Sequence, residues 1–153
     1  MPCRWDLPNA NMTKVNIDGA AKNNPGETGV GAGAVGRNSN SEFVFVYSRN
    51  IGIATNYMAE CTAILEGMEV AVIKGRASIW VESDSRAAVT AFNSGKIPWQ
   101  LKQRWRELHT KLTLCTITST WREVNFTANK AANFGVELGT EILRMWWETP
   151  MGL

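Results

Sequence analysis

Hydrophobic and polar positions in the first third of the chain predict three strands. Lys14 to Asp18 alternate polar and apolar residues, which is the two-residue period of a half-buried strand. The glycine-containing run Val30 to Val35 and the aromatic run Phe43 to Tyr47 predict a second and a third strand. Asn23-Asn24-Pro25-Gly26 is a dense turn signal between the first two. Because the connections are short, we expect an antiparallel meander.

The rest of the chain alternates helices with strands. Apolar residues recur at helical spacing from Thr55 to Lys74, with Thr55 or Asn56 as the N-cap and Gly75 as the stop. Pro98 suits the first turn of a later helix, because proline fits the first helical position. The remaining predicted elements are a strand at 77–81, helices at 84–93 and 98–112, a strand at 113–124 and a last helix at 128–147.

This order of elements predicts an α/β fold. A strand, a helix and another strand favour a right-handed crossover and parallel pairing, while the meander supplies the antiparallel part. We therefore expect a mixed five-stranded sheet flanked by helices. Residues 13–147 are assigned to this domain, 1–12 to an extended lead-in and 148–153 to a C-terminal tail. In such sheets, binding and catalytic residues lie at the carboxyl ends of the parallel strands.

Composition narrows the functional classes without choosing one. With 153 residues, 44% hydrophobic and 20% charged, the chain fits one ordinary globular domain, and we expect a monomer. No apolar run approaches the ~20 residues that span a bilayer, so no membrane partner is expected. Cys3, Cys61 and Cys115 lack CxxC spacing and are interpreted as buried residues of a reducing compartment, the cytoplasm or nucleus. The net charge of +2 is too small to argue for nucleic acid by itself.

Three acidic residues stand where this architecture would bring them together. Asp18 ends the first predicted strand, Glu60 lies in the first turns of the first helix, and Asp84 follows the fourth strand. Each also has a purely structural explanation: Asp18 suits a turn before a glycine, Glu60 complements a helix dipole, and Asp84 caps a helix. If the three converge, they repel each other, so at least one should titrate abnormally.

The segments around these acids carry a more specific pattern. Asp18-Gly19-Ala20, followed by Asn24-Pro25-Gly26, resembles the first hairpin of type 1 ribonucleases H. Thr55-Asn56 followed by Ala59-Glu60 resembles the Thr-Asn-Asn-x-x-Glu segment of that family, and Ser83-Asp84-Ser85 resembles its Thr/Ser-Asp-Ser element. Order and spacing agree over most of the chain. The resemblance implies a ribonuclease H-like fold.

The resemblance also implies a hydrolase: a sequence-nonspecific endonuclease that cleaves the RNA strand of RNA–DNA hybrids. Two divalent cations, Mg²⁺ or alternatively Mn²⁺, would lie about 4 Å apart, with Asp18 bridging both and Glu60 and Asp84 on one of them. The ends of the chain, residues 5–14 and Trp146 through Pro150, resemble the flanks of plant retroelement domains of the archaeal-like branch. This implies an origin in a non-long-terminal-repeat retrotransposon polyprotein, with its reverse transcriptase domain as a partner.

One metal-binding position departs from the family pattern. The family has a segment like Asn-x-x-Ala-Asp, where this chain has Asn129-Lys130-Ala131-Ala132-Asn133. The amide of Asn133 offers an oxygen but no charge, and a unit charge at ~4 Å is worth up to ~4 kcal/mol at an effective dielectric of ~20. We therefore expect weakened or lost activity; a deliberate change, natural decay and natural tolerance all fit. The alternative function is a non-catalytic hybrid-binding or interaction module of a retroelement polyprotein.

Four residues are expected to contact the nucleic acid. By resemblance, Asn24 and Asn56 contact the minor groove and 2′-hydroxyls, and Thr55 contacts a DNA phosphate. Arg122 stands near the place of the mobile histidine that many family members have, and it is a candidate phosphate contact. A fold relative that acts on DNA alone, such as a junction resolvase, is disfavoured by the Asn-Pro-Gly and Thr-Asn segments.

A basic stretch precedes the fifth predicted strand. Residues 96–111 carry five cations against one acid, Glu107, with Trp99 and Trp105 interleaved. Such a helix face can neutralise phosphates and make binding salt-dependent. It can equally be a solvated face whose tryptophans lie in the core, and the sequence leaves these two interpretations level.

Overall fold

The computed structural model describes residues 11–24, 27–52, 55–120 and 143–146. Up to residue 119, its strands and helices appear in the predicted order. They are β1 (Thr13–Asn24), β2 (Glu27–Arg37), β3 (Phe43–Asn50), α1 (Asn56–Ile73), β4 (Ser78–Ser83), α2 (Arg86–Ser94), α3 (Trp99–His109), β5 (Leu114–Ser119) and β6 (Leu143–Trp146).

The sheet combines a meander with parallel strands, as predicted. Its strand order is β5-β4-β1-β2-β3-β6. Strands β1, β2 and β3 pair antiparallel, whereas β4 is parallel to both β1 and β5. The pairing of β1 with β2 extends to Asn24 opposite Glu27, on either side of the predicted turn. The α/β fold class with a mixed sheet is therefore confirmed.

The sixth strand corrects the predicted end of the last helix. Leu143–Trp146, which we placed in a helix over 128–147, form β6 on the outer edge of β3, with Val46 opposite Trp146. An unpaired strand edge leaves backbone donors and acceptors without partners, and β6 supplies partners to β3. The helical periodicity of a short segment carries no information about such backbone hydrogen bonds with a distant strand. Residues 128–142 of the predicted helix lie outside the described residues.

The helix boundaries follow local capping chemistry. Thr55 is the N-cap of α1, and its Oγ1 accepts a 3.1 Å hydrogen bond from the Met58 amide. The left-handed Gly75, with φ of +79°, lies just after the helix. Helix α2 is capped by Ser85, whose Oγ accepts from the Ala88 amide. The interpretation of Asp84 as the cap is therefore wrong, which leaves its carboxylate for another role.

The core lies between the sheet and helix α1. Ile17 of β1 packs on Gly67 of α1, where an added Cβ would lie 2.8 Å from Ile17 Cδ1. Cys61 is fully buried and Cys115 partly so, and burial raises the pKa of both thiols. This agrees with their interpretation as packing residues, while Cys3 lies outside the described residues. None of the described helices combines the length and apolar character needed to cross a bilayer.

Candidate metal centre

Strands β1 and β4 place two of the acids side by side. Ile17 is opposite Ser83 in this parallel pair, so Asp18 and Asp84 come next on their two chains. Asp18 is buried, at 3% exposure, and β1 continues past it to Asn24. The predictions that Asp18 ends a strand or forms a turn are therefore wrong. It projects from the middle of a long strand, where the sheet holds it rigidly.

Gly19 brings the N-terminal part of α1 onto β1. A Cβ at Gly19 would lie 2.7 Å from the carbonyl carbon and 2.9 Å from the oxygen of Ala59. Since these are backbone atoms that cannot yield like a side chain, the close approach requires glycine. The Gly19 amide then donates a 3.1 Å hydrogen bond to Oε2 of Glu60. The sequence showed Gly19 only as part of a motif; its contact with the helix was not foreseen.

The three acids converge into one cluster. Each of Asp18, Glu60 and Asp84 offers a carboxylate oxygen that lies within 4.8 Å of the others. Burial raises the pKa of Glu60 to about 9, aided by the charge of Asp18, a hydrogen bond with Asp18 and the charge of Asp84, and opposed by the Gly19 amide. The expected abnormal titration therefore falls on Glu60. Without a countercharge, this site holds a proton.

The donor set suits a hard divalent cation. Carboxylate oxygens are the ligands that Mg²⁺ and Mn²⁺ prefer in proteins, and such ions bind through a few carboxylates plus water and substrate phosphates. A divalent cation would also offset the burial and the repulsion that together raise the pKa of the Glu60 carboxyl. On both grounds, the residues present fit a metal site.

A buried polar layer lies behind the cluster. Lys14 Nζ is 2.9 Å from Oε1 of Glu82 and 4.0 Å from the centre of the Trp80 ring. Asn16 Nδ2 donates to the same glutamate oxygen at 3.3 Å. Asn16 and Glu82 are register partners in β1 and β4, each two residues before a cluster acid. This layer was missed in the sequence, although polar residues at alternate positions before Asp18 could have indicated it.

The other predicted site residues divide into two groups. Thr55 and Asn56 are exposed at the start of α1, about one turn before Glu60, so they stand near the cluster along the chain. Asn24 is the last residue of β1, and its side chain lies outside the described part of the chain. Arg122 and Asn133 also lie outside the described residues.

Fold and carboxylate cluster together define a ribonuclease H-like domain. The family model for reverse transcriptase-like proteins matches residues 16–135. The chain belongs to this reverse transcriptase-like family. No curated protein sequence matches it.

Solved ribonucleases H share the fold. Ribonuclease H1 of the archaeon Halobacterium salinarum is 27% identical, with a TM-score of 0.71 over 82% of this chain and 98% of that one. The N-terminal ribonuclease H domain of a Mycobacterium tuberculosis protein, solved as a maltose-binding-protein fusion, is 25% identical, with a TM-score of 0.72 over 84% and 95%. The foamy viral protease-reverse transcriptase, in complex with RNA/DNA hybrid, has a TM-score of 0.64 at 16% identity over 90% of this chain and 22% of that one.

Proposed function

We propose that this protein is a ribonuclease H, an endonuclease that cuts the RNA strand of RNA–DNA hybrids without sequence preference. The observation that carries the proposal is the convergence of Asp18, Glu60 and Asp84 within 4.8 Å. It occurs in a fold shared with solved ribonucleases H. A cluster of like charges lowers stability unless a cation neutralises it, so it contributes nothing to holding the fold and indicates a functional site.

The three carboxylates would hold two divalent cations, Mg²⁺ or Mn²⁺. When bound, such ions activate the attacking water and stabilise the leaving 3′ oxygen of the cut phosphodiester. Asp18 is the buried member of the cluster and would hold the cations from a strand in the interior of the sheet. Glu60 is oriented by the Gly19 amide, and Asp84 follows the end of β4. Strand β1, helix α1 and the end of β4 would thus supply one ligand each.

Residues at the start of α1 would contact the hybrid. The Thr55 hydroxyl accepts from the Met58 amide, and a hydroxyl that accepts one hydrogen bond still carries a donor. It can therefore donate to a DNA phosphate while it caps the helix. Asn56 is exposed beside it, and none of the described residues holds its side-chain amide, which would contact a 2′-hydroxyl in the minor groove. We assign Asn24 and Arg122 to further minor-groove and phosphate contacts.

Asn133 supports a second candidate function. Because it stands where the family pattern has an aspartate, the site lacks one negative charge for its cations. A loss of up to ~10³-fold in metal affinity or rate would follow. A domain weakened to that degree would serve as a hybrid-binding or interaction module rather than as a nuclease.

Cleavage of an end-labelled hybrid, with Mg²⁺ or Mn²⁺, tests the proposal on the chain as it stands and on its Asn133→Asp variant. Cutting by either form, lost on Asp84→Asn, supports the nuclease. Tight hybrid binding by both forms without cutting supports the non-catalytic module instead. If neither form cuts or binds hybrid, and calorimetry detects no Mn²⁺ at the cluster, both candidates fail.

We further propose an origin in the polyprotein of a plant retrotransposon, with the domain spanning residues 13–147. The end segments that resemble plant retroelement flanks support it. The foamy-virus neighbour offers a precedent, since this chain matches only 22% of that longer protein. A reverse transcriptase domain would be the covalent partner, and the domain itself a monomer in the cytoplasm or nucleus. Light scattering of the purified chain measures the oligomeric state.

A further inference from the structure

Helix α3 carries two kinds of cation. Arg104 faces α1, where its Nε lies 3.2 Å from Oε2 of Glu69 and its Nη2 lies 3.5 Å from Oε2 of Glu66. Lys102 and Arg106 are exposed and make no ion pair with any residue that the structure describes. Of these three cations, Arg104 is therefore the one that helps to hold the helix in the fold. The outward cations have no structural task within the described part.

An exposed tryptophan lies in line with these outward cations. Trp99 is 78% exposed, whereas Trp105 is half-buried and packs edge-on against Phe92 with ring centres 5.2 Å apart. The interpretation that both tryptophans lie in the core is therefore wrong for Trp99. Trp99, Lys102 and Arg106 have the spacing i, i+3 and i+7, which places them along one face over about 10 Å.

We propose that this face of α3 binds single-stranded nucleic acid. A base would stack on the Trp99 indole, and Lys102 and Arg106 would contact neighbouring phosphates. Exposed Lys96 and Lys111 extend the positive charge at the two ends, and Glu107 is the only acid in the stretch. The positive charge of this face favours a polyanion as its partner. The exposed indole of Trp99 favours a polyanion with flat aromatic groups, such as the bases of a nucleic acid. A duplex keeps those faces stacked inside, so a single strand fits better.

The α3 face is separate from the candidate metal centre. Helix α3 leads into β5, whose first residue, Leu114, is opposite Ser78, the first residue of β4. The carboxylates gather beyond the other end of β4, after Ser83. Binding at α3 therefore requires neither metal nor cleavage. The affinity of α3 for single-stranded nucleic acid can therefore be measured independently of the proposed nuclease activity.

Fluorescence anisotropy of a labelled oligothymidylate of about 12 nucleotides, in EDTA, tests the site on the full chain. Trp99→Ala should lower the affinity about tenfold, and Trp99→Phe should recover most of it. Lys102→Gln and Arg106→Gln should each reduce the slope of log K against log salt by about 0.7. Glu107→Gln, which removes the lone acid, should raise the affinity.

Matched controls make each outcome decisive. Ile73→Ala alters an apolar residue that is 71% exposed at the end of α1, and it should leave binding unchanged. An abasic strand of equal length should bind the parent as weakly as oligothymidylate binds Trp99→Ala. Equal binding by the parent and Trp99→Ala overturns the proposal, as does loss of binding in Asp18→Asn. Trp99-dependent binding to phosphatidylserine vesicles but not to the oligonucleotide overturns it in favour of a lipid surface.

Discussion

Two glutamates of helix α1, six residues apart, occupy opposite electrostatic surroundings. Glu66 is buried, accepts hydrogen bonds from Tyr47 and Arg49, and lies within salt-bridge distance of Arg104. Among the described residues, Glu60 instead meets two other carboxylates and the backbone amide of Gly19. The same residue type on the same helix is therefore neutralised by cations in one place and crowded by like charge in the other. The first arrangement holds a fold together, and the second is suited to a divalent cation.

The surroundings of Glu66 join three elements. Tyr47 and Arg49 come from β3 and Arg104 from α3, so Glu66 ties both to α1. Burial and the neighbouring Glu66 charge raise the pKa of Tyr47, which remains a neutral donor. The pKa of Arg104 is raised by its hydrogen bond to Glu69. Each polar group thus has a partner of suitable sign, as expected for a structural cluster.

The largest effect should come from removing a charge at the candidate metal centre. Asp18→Asn, made in whichever of the parent and Asn133→Asp forms cuts hybrid, should lower the cleavage rate by up to ~10³-fold. The melting temperature of the metal-free protein should not fall, since repulsion decreases. Single-turnover cleavage and thermal unfolding measure the two quantities. A rate within a few-fold of the starting form would contradict the metal role of Asp18.

Glu66→Ala should show the reverse pattern. It leaves Arg49 and the Tyr47 hydroxyl without their buried partner, and breaking a buried pair costs about 3 kcal/mol or more. Urea unfolding should show this loss, while Mn²⁺ affinity of the folded fraction should change little. Glu66→Gln, which still accepts hydrogen bonds, should lose less. If Glu66→Ala unfolds like the parent, the contrast between the two glutamates is lost.

Gly19→Ala should affect both stability and metal binding. The new Cβ would meet the backbone of Ala59 at 2.7 Å, so α1 must move away from β1. Overpacking of this kind costs about 2 kcal/mol, and the shift should also separate Glu60 from Asp18. Urea unfolding and Mn²⁺ titration measure the two losses. Gly75→Ala is a control for a glycine whose Cβ has open space but whose φ is positive, so it should reduce stability alone.

The smallest effect concerns pH. In the metal-free fold the pKa of Glu60 is raised from 4.5 to about 9, so the folded state keeps a proton that the unfolded state releases. Between those two pH values, stability should therefore fall as pH rises. Glu60→Gln should remove this slope and be more stable than the parent at about pH 8. The difference should vanish near pH 4; a parent curve that rises over this window would contradict the shift.

Local patterns predicted most of the fold because they act over a few residues. The alternation in β1, the N-cap of α1 and the turn between the first two strands all lie within short windows of sequence. What escaped prediction depends on distant pairing: the extension of β1 past Asp18, and β6 on the edge of β3.

The three acids were identified from their places at the edges of elements and from the motifs around them. The Gly19–Glu60 contact and the Lys14–Glu82 pair join residues 41 and 68 positions apart, and periodicity carries no information about such pairs. The exposure of Trp99 was likewise invisible, because a tryptophan in a helix pattern usually indicates core.

The pairing of β6 with β3 has a consequence for solubility. Phe43 to Tyr47 reads Phe-Val-Phe-Val-Tyr, a run without charge or proline and with high strand propensity. Such runs template aggregation when their edge is bare. Leu143–Trp146 occupy that edge and thereby prevent strands of other molecules from pairing with β3. A shortened chain that ends before Leu143 would present this run to its neighbours.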